Sequence, residues 1–164
     1  MKRLTTLFFI IILFLLPRGT HAQSKPVMDF ITFVGKNFQL PVEARYSCEW
    51  QYAVVSVKTD SRNKIISYDI LKTASNSITK DDFKFLIGYR FLPAMHINRH
   101  PVVFHLTINN ADVCKPKPGD YVYTPNQVVN MITSTLLKIE KEDPKTTFIP
   151  EMIIKQYYPP ENKN

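Results

Sequence analysis

Apolar side chains recur at helical spacing near the start of the chain, at Met28, Ile31, Val34 and Phe38. Spacings of three and four residues place these side chains on one face of a helix. The pattern predicts an amphipathic helix within residues 25–45. It is interrupted at Pro41, because proline lacks the amide hydrogen that a continuing helix uses.

The next two apolar runs change to a period of two, which is typical of strands. Over residues 50–59, Val55 and Val57 alternate with less apolar neighbours, and residues 64–72 are rich in β-branched and aromatic side chains. The turn between these runs ends on Asn63, a residue that tolerates the left-handed backbone such a turn needs. The two runs therefore predict a β-hairpin.

A second helix and a third strand are predicted after the hairpin. Thr79 and Asp82 have the spacing of a capping box, which predicts a helix over about residues 79–90 that Pro93 stops. Residues 101–109 return to a period of two and predict a strand.

The order helix, strand, strand, helix, strand predicts an α+β two-layer sandwich over residues 25–112. A hairpin followed by a helical crossover brings the third strand antiparallel beside the first. We therefore expect a three-stranded antiparallel sheet in the order 2-1-3, with both helices on one face.

Residues 113–164 form a C-terminal extension of different character. Thr124, Pro125 and Gln127 are typical of a helix start and predict a helix over about residues 125–141. After Pro144 the chain alternates apolar patches with prolines, which suits either a short strand or a docked extended tail.

The first 22 residues have the pattern of a secretory signal peptide, with a basic start at Lys2 and Arg3 and a small residue, Ala22, before the predicted cleavage site. The apolar run at residues 4–16 is 13 residues long. A membrane-spanning helix needs about 20, so we expect cleavage rather than an uncleaved anchor, and no stable membrane span afterwards. Cleavage also removes Arg18, which lowers the net charge from +7 to +4. The remaining basic residues are scattered, so we expect no nucleic-acid partner.

The chain contains two cysteines, Cys48 before the first strand and Cys114 after the third. An even number of cysteines in an exported protein favours a disulfide, with two free buried thiols as the alternative. Because the predicted strand order brings these strand ends together, we expect a Cys48–Cys114 bridge. The register that this bridge implies places Val55 opposite Thr107.

Two short phrases frame the predicted hairpin, LPVEAR at residues 40–45 and YRFLPA at residues 89–94, the second followed by Pro101 and Val102. The turn between the strands has the sequence DSRNK. In order and spacing these phrases resemble the C-terminal domain of TonB, the periplasmic energy transducer of Gram-negative bacteria, over about residues 28–110. The resemblance implies an exported protein of the Gram-negative periplasm with a role related to envelope transport.

The resemblance also implies a binding edge. In TonB-like domains the edge of the third strand pairs with a short receptor segment, so the expected partner is an extended segment of an envelope or outer-membrane protein. We assign Val103, His105, Thr107 and Asn109 to this edge. Since the chain shows neither the spanning helix nor the Pro-rich spacer of TonB, we expect a stand-alone module that does not transduce energy. The alternative is that the C-terminal tail covers the same edge.

Catalytic chemistry is not predicted. His96, His100 and His105 have no carboxylate or thiol close in sequence, so we expect no metal site and no cofactor. The adjacent Asp81 and Asp82 fit a helix N-terminus, where the dipole favours acidic residues, better than acid–base chemistry. We therefore predict a non-enzymatic protein.

Two functions stay open at the level of the sequence. One is an exported periplasmic binding module that recognises an extended envelope peptide by strand addition at the third strand. The other is a self-capped structural or assembly subunit of the cell envelope without peptide-binding activity. In that case the C-terminal helix covers the core or makes a homodimer.

Overall fold

A mixed sheet of five strands, with helices packed against it, gives the protein an α+β fold. The computed structural model describes residues 25–45, 47–95, 97, 99–109, 123–150 and 153–155. The predicted signal peptide, residues 1–22, lies outside the described residues. The elements follow one another in the order α1 (Lys25–Asn37), α2 (Val42–Arg45), β1 (Gln51–Thr59), β2 (Ile65–Thr73), a first 3-10 helix (Lys80–Leu86), a second 3-10 helix (Pro93–Met95), β3 (Val102–Ile108), α3 (Pro125–Glu142), β4 (Thr147–Phe148) and β5 (Ile153–Lys155).

The predicted helix–break–helix at the start of the chain is confirmed. Phe30 and Val34 of α1 are fully buried, as their spacing of four residues predicts. The chain leaves α1 before Pro41 and makes the single turn of α2, where the Arg45 side chain donates from Nε to the Leu40 carbonyl oxygen at 3.0 Å.

Strands β1 and β2 form the predicted hairpin. Its turn is held by Asp60, whose carboxylate accepts hydrogen bonds from the backbone amides of Arg62 (2.8 Å) and Lys64 (2.9 Å). These donors stabilise the ionised carboxylate and hold the pKa of Asp60 below its usual value. Asn63 takes the predicted left-handed conformation, with φ of 58°.

The predicted helix over residues 79–90 is wrong in type and length. The structure has a 3-10 helix of seven residues, Lys80–Leu86. The capping box at Thr79 and Asp82 is present, as predicted. The helix ends because Gly88 has φ of 92° and its amide donates to the Ile65 carbonyl oxygen (3.0 Å), which pulls the chain onto β2. The Ile87 and Tyr89 amides still donate to the carbonyl oxygens of Lys84 and Leu86, so the chain leaves the helix through turn-type hydrogen bonds.

The predicted three-stranded sheet is incomplete. The antiparallel order 2-1-3 is present, but β4 and β5 both pair with the outer side of β3, in parallel orientation. The sheet is therefore mixed, with β2 at one edge and the C-terminal tail at the other. The predicted tail strand thus belongs to the sheet itself.

The register between β1 and β3 differs from the prediction by three residues. Val55 lies opposite Phe104 and Tyr52 opposite Thr107. Directly opposed residues share a face of an antiparallel sheet, so the predicted pairing would have placed Thr107 among the apolar partners of Val55. The observed register keeps Val55 and Phe104 together in the main core.

Helix α3 covers the opposite face of the sheet, so the prediction of two layers is also wrong. Its buried Val128 and Ile132 pack with Tyr52, Val54 and Val103 in a second apolar cluster. The main core lies on the other face, between the sheet, α1 and the first 3-10 helix. Because helices cover both faces, every residue of β3 is buried.

The start of α3 follows the prediction. The Thr124 amide donates to Gln127 Oε1 at 2.8 Å, and the Gln127 amide donates to Thr124 Oγ1 at 3.4 Å. This reciprocal pair satisfies amides that the first turn of a helix leaves free, and Pro125 needs no such partner.

Candidate functional site

The edge of β3 that the sequence assigns to a partner is occupied by the chain's own tail. The Thr147 amide donates to the Pro101 carbonyl oxygen and the Ile149 amide donates to that of Val103, both at 2.9 Å. Farther along, the Asn109 amide donates to the Lys155 carbonyl oxygen, also at 2.9 Å. The tail therefore supplies the hydrogen bonds that an added peptide strand would make.

The pairing of the tail with β3 is interrupted in the middle. Val103 lies opposite Phe148, whereas Leu106 lies opposite Ile153, so the tail has two more residues than β3 between these pairs. Pro150, which has no amide hydrogen to donate, lies in this interval. The tail is thus held as two short strands rather than as one continuous ladder.

Side chains of the tail are part of both cores. Ile149 and Ile153 are buried in the main core, at 1% and 3% exposure, and Phe148 packs against the second cluster. At the end of β5, the Lys155 ammonium group donates to the Gly35 carbonyl oxygen in the last turn of α1. A cation at this position also interacts favourably with the helix dipole.

The residues predicted to line a binding groove lie under this tail and under α3. Val103, His105 and Thr107 share the face of β3 that α3 covers, and their exposed fractions are 1%, 4% and 0%. Thr107 Oγ1 donates to the Ile153 carbonyl oxygen at 3.5 Å, and Asn109 is bonded to the tail through its backbone. Val103, His105 and Thr107 are therefore closed off from solvent, and the Asn109 amide is already bonded to the tail.

His105 is the buried titratable group of this edge. Within the described part of the chain, its Nδ1 atom has no hydrogen-bond partner. Burial disfavours the charged imidazolium and lowers the pKa of His105. The group therefore behaves as a neutral core histidine beside the interruption in the tail pairing.

At the opposite edge of the sheet, the described residues cover β2 only at its start. The Ile65 amide donates to the Tyr89 carbonyl oxygen at 2.8 Å, and the Phe91 amide donates to that of Asn63 at 3.0 Å. From Ile66 to the end of β2, no other strand among the described residues pairs with the outer side. Two apolar side chains of this strand are exposed, Ile66 at 57% and Leu71 at 43%.

Two adjoining grooves lie beside β2 on the α3 side. The larger, of about 560 Å³, is lined by Leu71 and Lys72 of β2 and by Lys138, Ile139 and Glu142 of α3, among others. The smaller, of about 370 Å³, is lined by residues that include Lys58, Ser67, Asp69, Leu71 and Lys80. Leu71 lines both grooves. The sequence analysis missed this surface, because the irregular pairing that creates it leaves no signal in hydrophobic periodicity.

The phrases that carry the TonB-like resemblance have packing roles. Phe91 is buried and its ring lies 4.8 Å from that of Phe30, centroid to centroid. The Tyr89 hydroxyl donates to the Asp29 carboxylate at 2.7 Å, and burial together with this bond raises the pKa of Tyr89. Ala44 of the first phrase is also fully buried. Tyr89 and Phe91 thus connect α1 to the segment that pairs with the start of β2, and Ala44 packs in the main core.

The acidic and histidine side chains that the structure describes are not grouped in a way that would bind a metal ion. In the ranges that the structure describes, no group of three or more His, Cys, Asp or Glu residues is placed to hold an ion. His96 lies outside the described residues. Asp82 accepts the Thr79 amide at 2.7 Å, and Asp81 pairs with Lys84 at 3.1 Å, so both acidic residues have structural contacts.

The disulfide prediction concerns one described and one undescribed cysteine. Cys48 is disulfide-bonded. The other cysteine of the chain, Cys114, lies outside the described residues, so the Cys48–Cys114 pairing stays a prediction.

Comparison with protein-family models, with curated proteins and with solved structures gave no match for this chain. The likeness to TonB therefore stays a resemblance of short phrases. Over the described residues, the helices are too short or too polar to cross a lipid bilayer.

Proposed function

We propose that this protein is a self-capped, non-enzymatic assembly or structural subunit of the bacterial cell envelope, exported to the periplasm. The observation that carries the proposal is the pairing of β4 and β5 with β3. This pairing fills the edge that the TonB-like resemblance assigns to a partner. The signal-like first residues and the disulfide at Cys48 support export.

The burial of the tail favours self-capping over an open binding edge. Withdrawing the Ile149 and Ile153 side chains from the core costs about 1.5–3 kcal/mol each, or about 3–6 kcal/mol together. A peptide that had to displace the tail would lose this amount of binding free energy. Its affinity would fall by a factor of roughly 10²–10⁴.

A second candidate function is supported by the interruption at Pro150. A tail held in two short pieces can detach one piece at a time, which would expose part of β3 to an extended envelope peptide. In this version the protein is the strand-addition module, with the edge at Val103, His105, Thr107 and Asn109 available only after the tail is released.

Hydrogen exchange on the full-length mature protein separates these two functions. The amides of Thr147 and Ile149 donate to β3, so self-capping predicts that they exchange slowly. The neighbouring Phe148 amide is the control, because successive amides of a strand point to opposite sides. A chain ending before residue 146 supplies a second comparison, in which the Asn109 amide loses its acceptor on Lys155.

Slow exchange at Thr147, Ile149 and Asn109 in the full chain supports the self-capped subunit. Exchange at these three amides as fast as at Phe148, with the β1-facing amide of Leu106 still protected, would mean that the edge is open. That result would overturn self-capping in favour of the strand-addition module.

A further inference from the structure

The outer edge of β2 differs from the edge of β3 in that the described residues leave most of it unpaired. Among the described residues, its outer side pairs only at Lys64 and Ile65, with the segment that contains Tyr89 and Arg90. Unpaired amide and carbonyl groups along a strand form a template for another strand. The side chains beside β2 determine which kind of strand could bind there.

A bulge at Leu71 directs two consecutive side chains to the same side of β2. Val55 pairs with Ile70 and Val54 with Lys72, so Leu71 is an extra residue with no direct partner on β1. In a regular strand, Leu71 and Lys72 would point to opposite faces. Because of the bulge, both line the larger groove beside α3.

The two grooves carry more positive than negative charge. Four lysines, Lys58, Lys72, Lys80 and Lys138, line them, against Asp69 and Glu142. Lys80 pairs with Asp69 at 3.1 Å and Lys138 with Glu142 at 3.8 Å. Within the described part of the chain, Lys58 and Lys72 form no ion pair, so each is available to an incoming carboxylate.

We propose that the outer edge of β2 docks an extended acidic segment of a partner protein. The segment adds a strand beside residues 66–73, and every second side chain of it faces the two grooves on the α3 side of β2. Apolar side chains meet Leu71 and Ile139, and carboxylates meet Lys58 and Lys72. The proposal rests on the proposed function, because it supplies the contact surface of an assembly subunit whose other edge is closed.

Charge favours this occupant over a second copy of the chain. Two β2 edges brought together would place the unpaired Lys58 and Lys72 of each copy near those of the other, and like charges at an interface oppose association. An acidic segment has the complementary sign, and its attraction to the grooves weakens with added salt.

Titration with synthetic peptides, followed by amide chemical shifts and fluorescence anisotropy of the full mature protein, tests the proposal. The probe is a peptide of about nine residues, to match the length of β2. Every second residue is alternately valine or glutamate and the intervening residues are threonine, so that one face of the added strand presents both apolar and acidic side chains to the grooves. One control peptide replaces glutamate with lysine, and another carries a central proline that cannot pair as a strand. The expected result is binding of the acidic peptide at least about fivefold tighter than of either control. Its shift changes are expected at residues 66–73 and 134–142.

Two charge reversals sharpen the test. Lys72→Glu is expected to weaken binding of the acidic peptide roughly five- to tenfold, because it replaces an attraction with a repulsion at the groove. Lys25→Glu on α1, on the opposite face of the sheet, makes the same change in net charge and is expected to leave binding unchanged.

The outcomes separate this proposal from the proposed function. Equal binding of the acidic and basic peptides, absence of binding, or a dimer whose interface maps to β2 overturns the acidic docking edge while leaving the tail-capped β3 in place. Shift changes confined to residues 102–109 and 147–155 would instead show that the tail has been displaced. They would overturn both proposals.

Discussion

The two edges of the sheet are protected in different ways. At β3, the chain covers the edge with its own tail and buries two tail isoleucines in the main core. At β2, the residues that the structure describes leave the edge largely unpaired, and two bulges, at Ile66 and Leu71, make the pairing of β2 with β1 irregular. Bulges and lysines on an edge strand discourage unspecific pairing without closing the edge.

The edge of a strand can therefore be covered by a chain segment that lies far from it in the sequence. Every residue of β3 is buried, and five of its seven side chains are apolar, so this strand would associate readily if its edge were bare. The β2 edge is more polar and tolerates exposure to water. The cover at β3 and the local irregularity at β2 are therefore two different ways of limiting unspecific pairing at the edges of one sheet.

The largest expected change in the free energy of unfolding comes from a substitution that tests whether the tail is part of the core. Ile153→Ala is expected to lower the free energy of unfolding by about 2–5 kcal/mol, because the side chain is buried and leaves a cavity. The matched control is Ile154→Ala in the same strand, which is 56% exposed and is expected to change stability by at most about 0.5 kcal/mol. Chemical denaturation of both variants measures the difference. Equal losses in the two variants would contradict a tail docked in this orientation.

The pH dependence of stability tests the burial of His105 beneath α3. Its pKa is lowered in the folded protein, so below the ordinary value of about 6.5 the unfolded chain binds more protons than the folded one. The stabilisation is present above that pH and is lost as the pH falls, by at most about 1.4 kcal/mol per pH unit.

Denaturation between pH 7.5 and about 5, on the wild type and on His105→Leu, measures this slope. The substitution is expected to remove the contribution of His105, whereas His100→Gln, in the loop before β3, retains it. Identical slopes in the wild type and His105→Leu would mean that His105 is accessible to protons in the folded protein, and so that the β3 edge is not closed.

The attachment of the tail to α1 is expected to have a smaller effect. Lys155→Met removes the hydrogen bond from the ammonium group to the Gly35 carbonyl oxygen but keeps most of the aliphatic length. A loss of about 1 kcal/mol is expected, from the hydrogen bond and the helix dipole together. Thermal denaturation checks it against Lys145→Met, where the exposed lysine precedes β4. A loss at Lys145 as large as at Lys155 would argue against a specific cap.

The smallest expected effect concerns the open edge. Leu71→Ala is expected to change the free energy of unfolding by about 0.5 kcal/mol, because Leu71 is 43% exposed at the bulge. Leu106→Ala, the same substitution in the fully buried β3, is expected to cost about 2–5 kcal/mol. Similar losses at the two leucines would mean that the β2 side is covered in solution.

Local sequence signals predicted the elements that depend on local physics. The hairpin follows from the alternation around Val55 and from Asp60 and Asn63, and α3 follows from the capping residues at Thr124 and Gln127. The helix after Thr79 was predicted too long, because the bonds that Gly88 and Tyr89 make to β2 are contacts between distant parts of the chain.

The candidate site was less predictable for the same reason. The sequence showed that the tail could form a strand, but it did not show which edge the strand would take. That choice depends on how Ile149 and Ile153 fit a cavity built by the rest of the core. The groove at Leu71 and Lys72 depends on a bulge. The position of this bulge is set by the pairing of β1 with β2, and the sequence of neither strand indicates it.

Because the tail is synthesised after the strand that it covers, the β3 edge is exposed for a time during synthesis. The strands that complete the β3 edge are the last described elements of the chain, whereas β1, β2 and β3 are made first. Until residues 147–155 have left the ribosome, β3 lacks the strands that pair with it, and the nascent chain passes through a stage with one edge exposed. The time spent in that stage then contributes to the risk of aggregation, separately from the stability of the finished fold. Any factor that assists the folding of this protein would be needed most before these last residues are available.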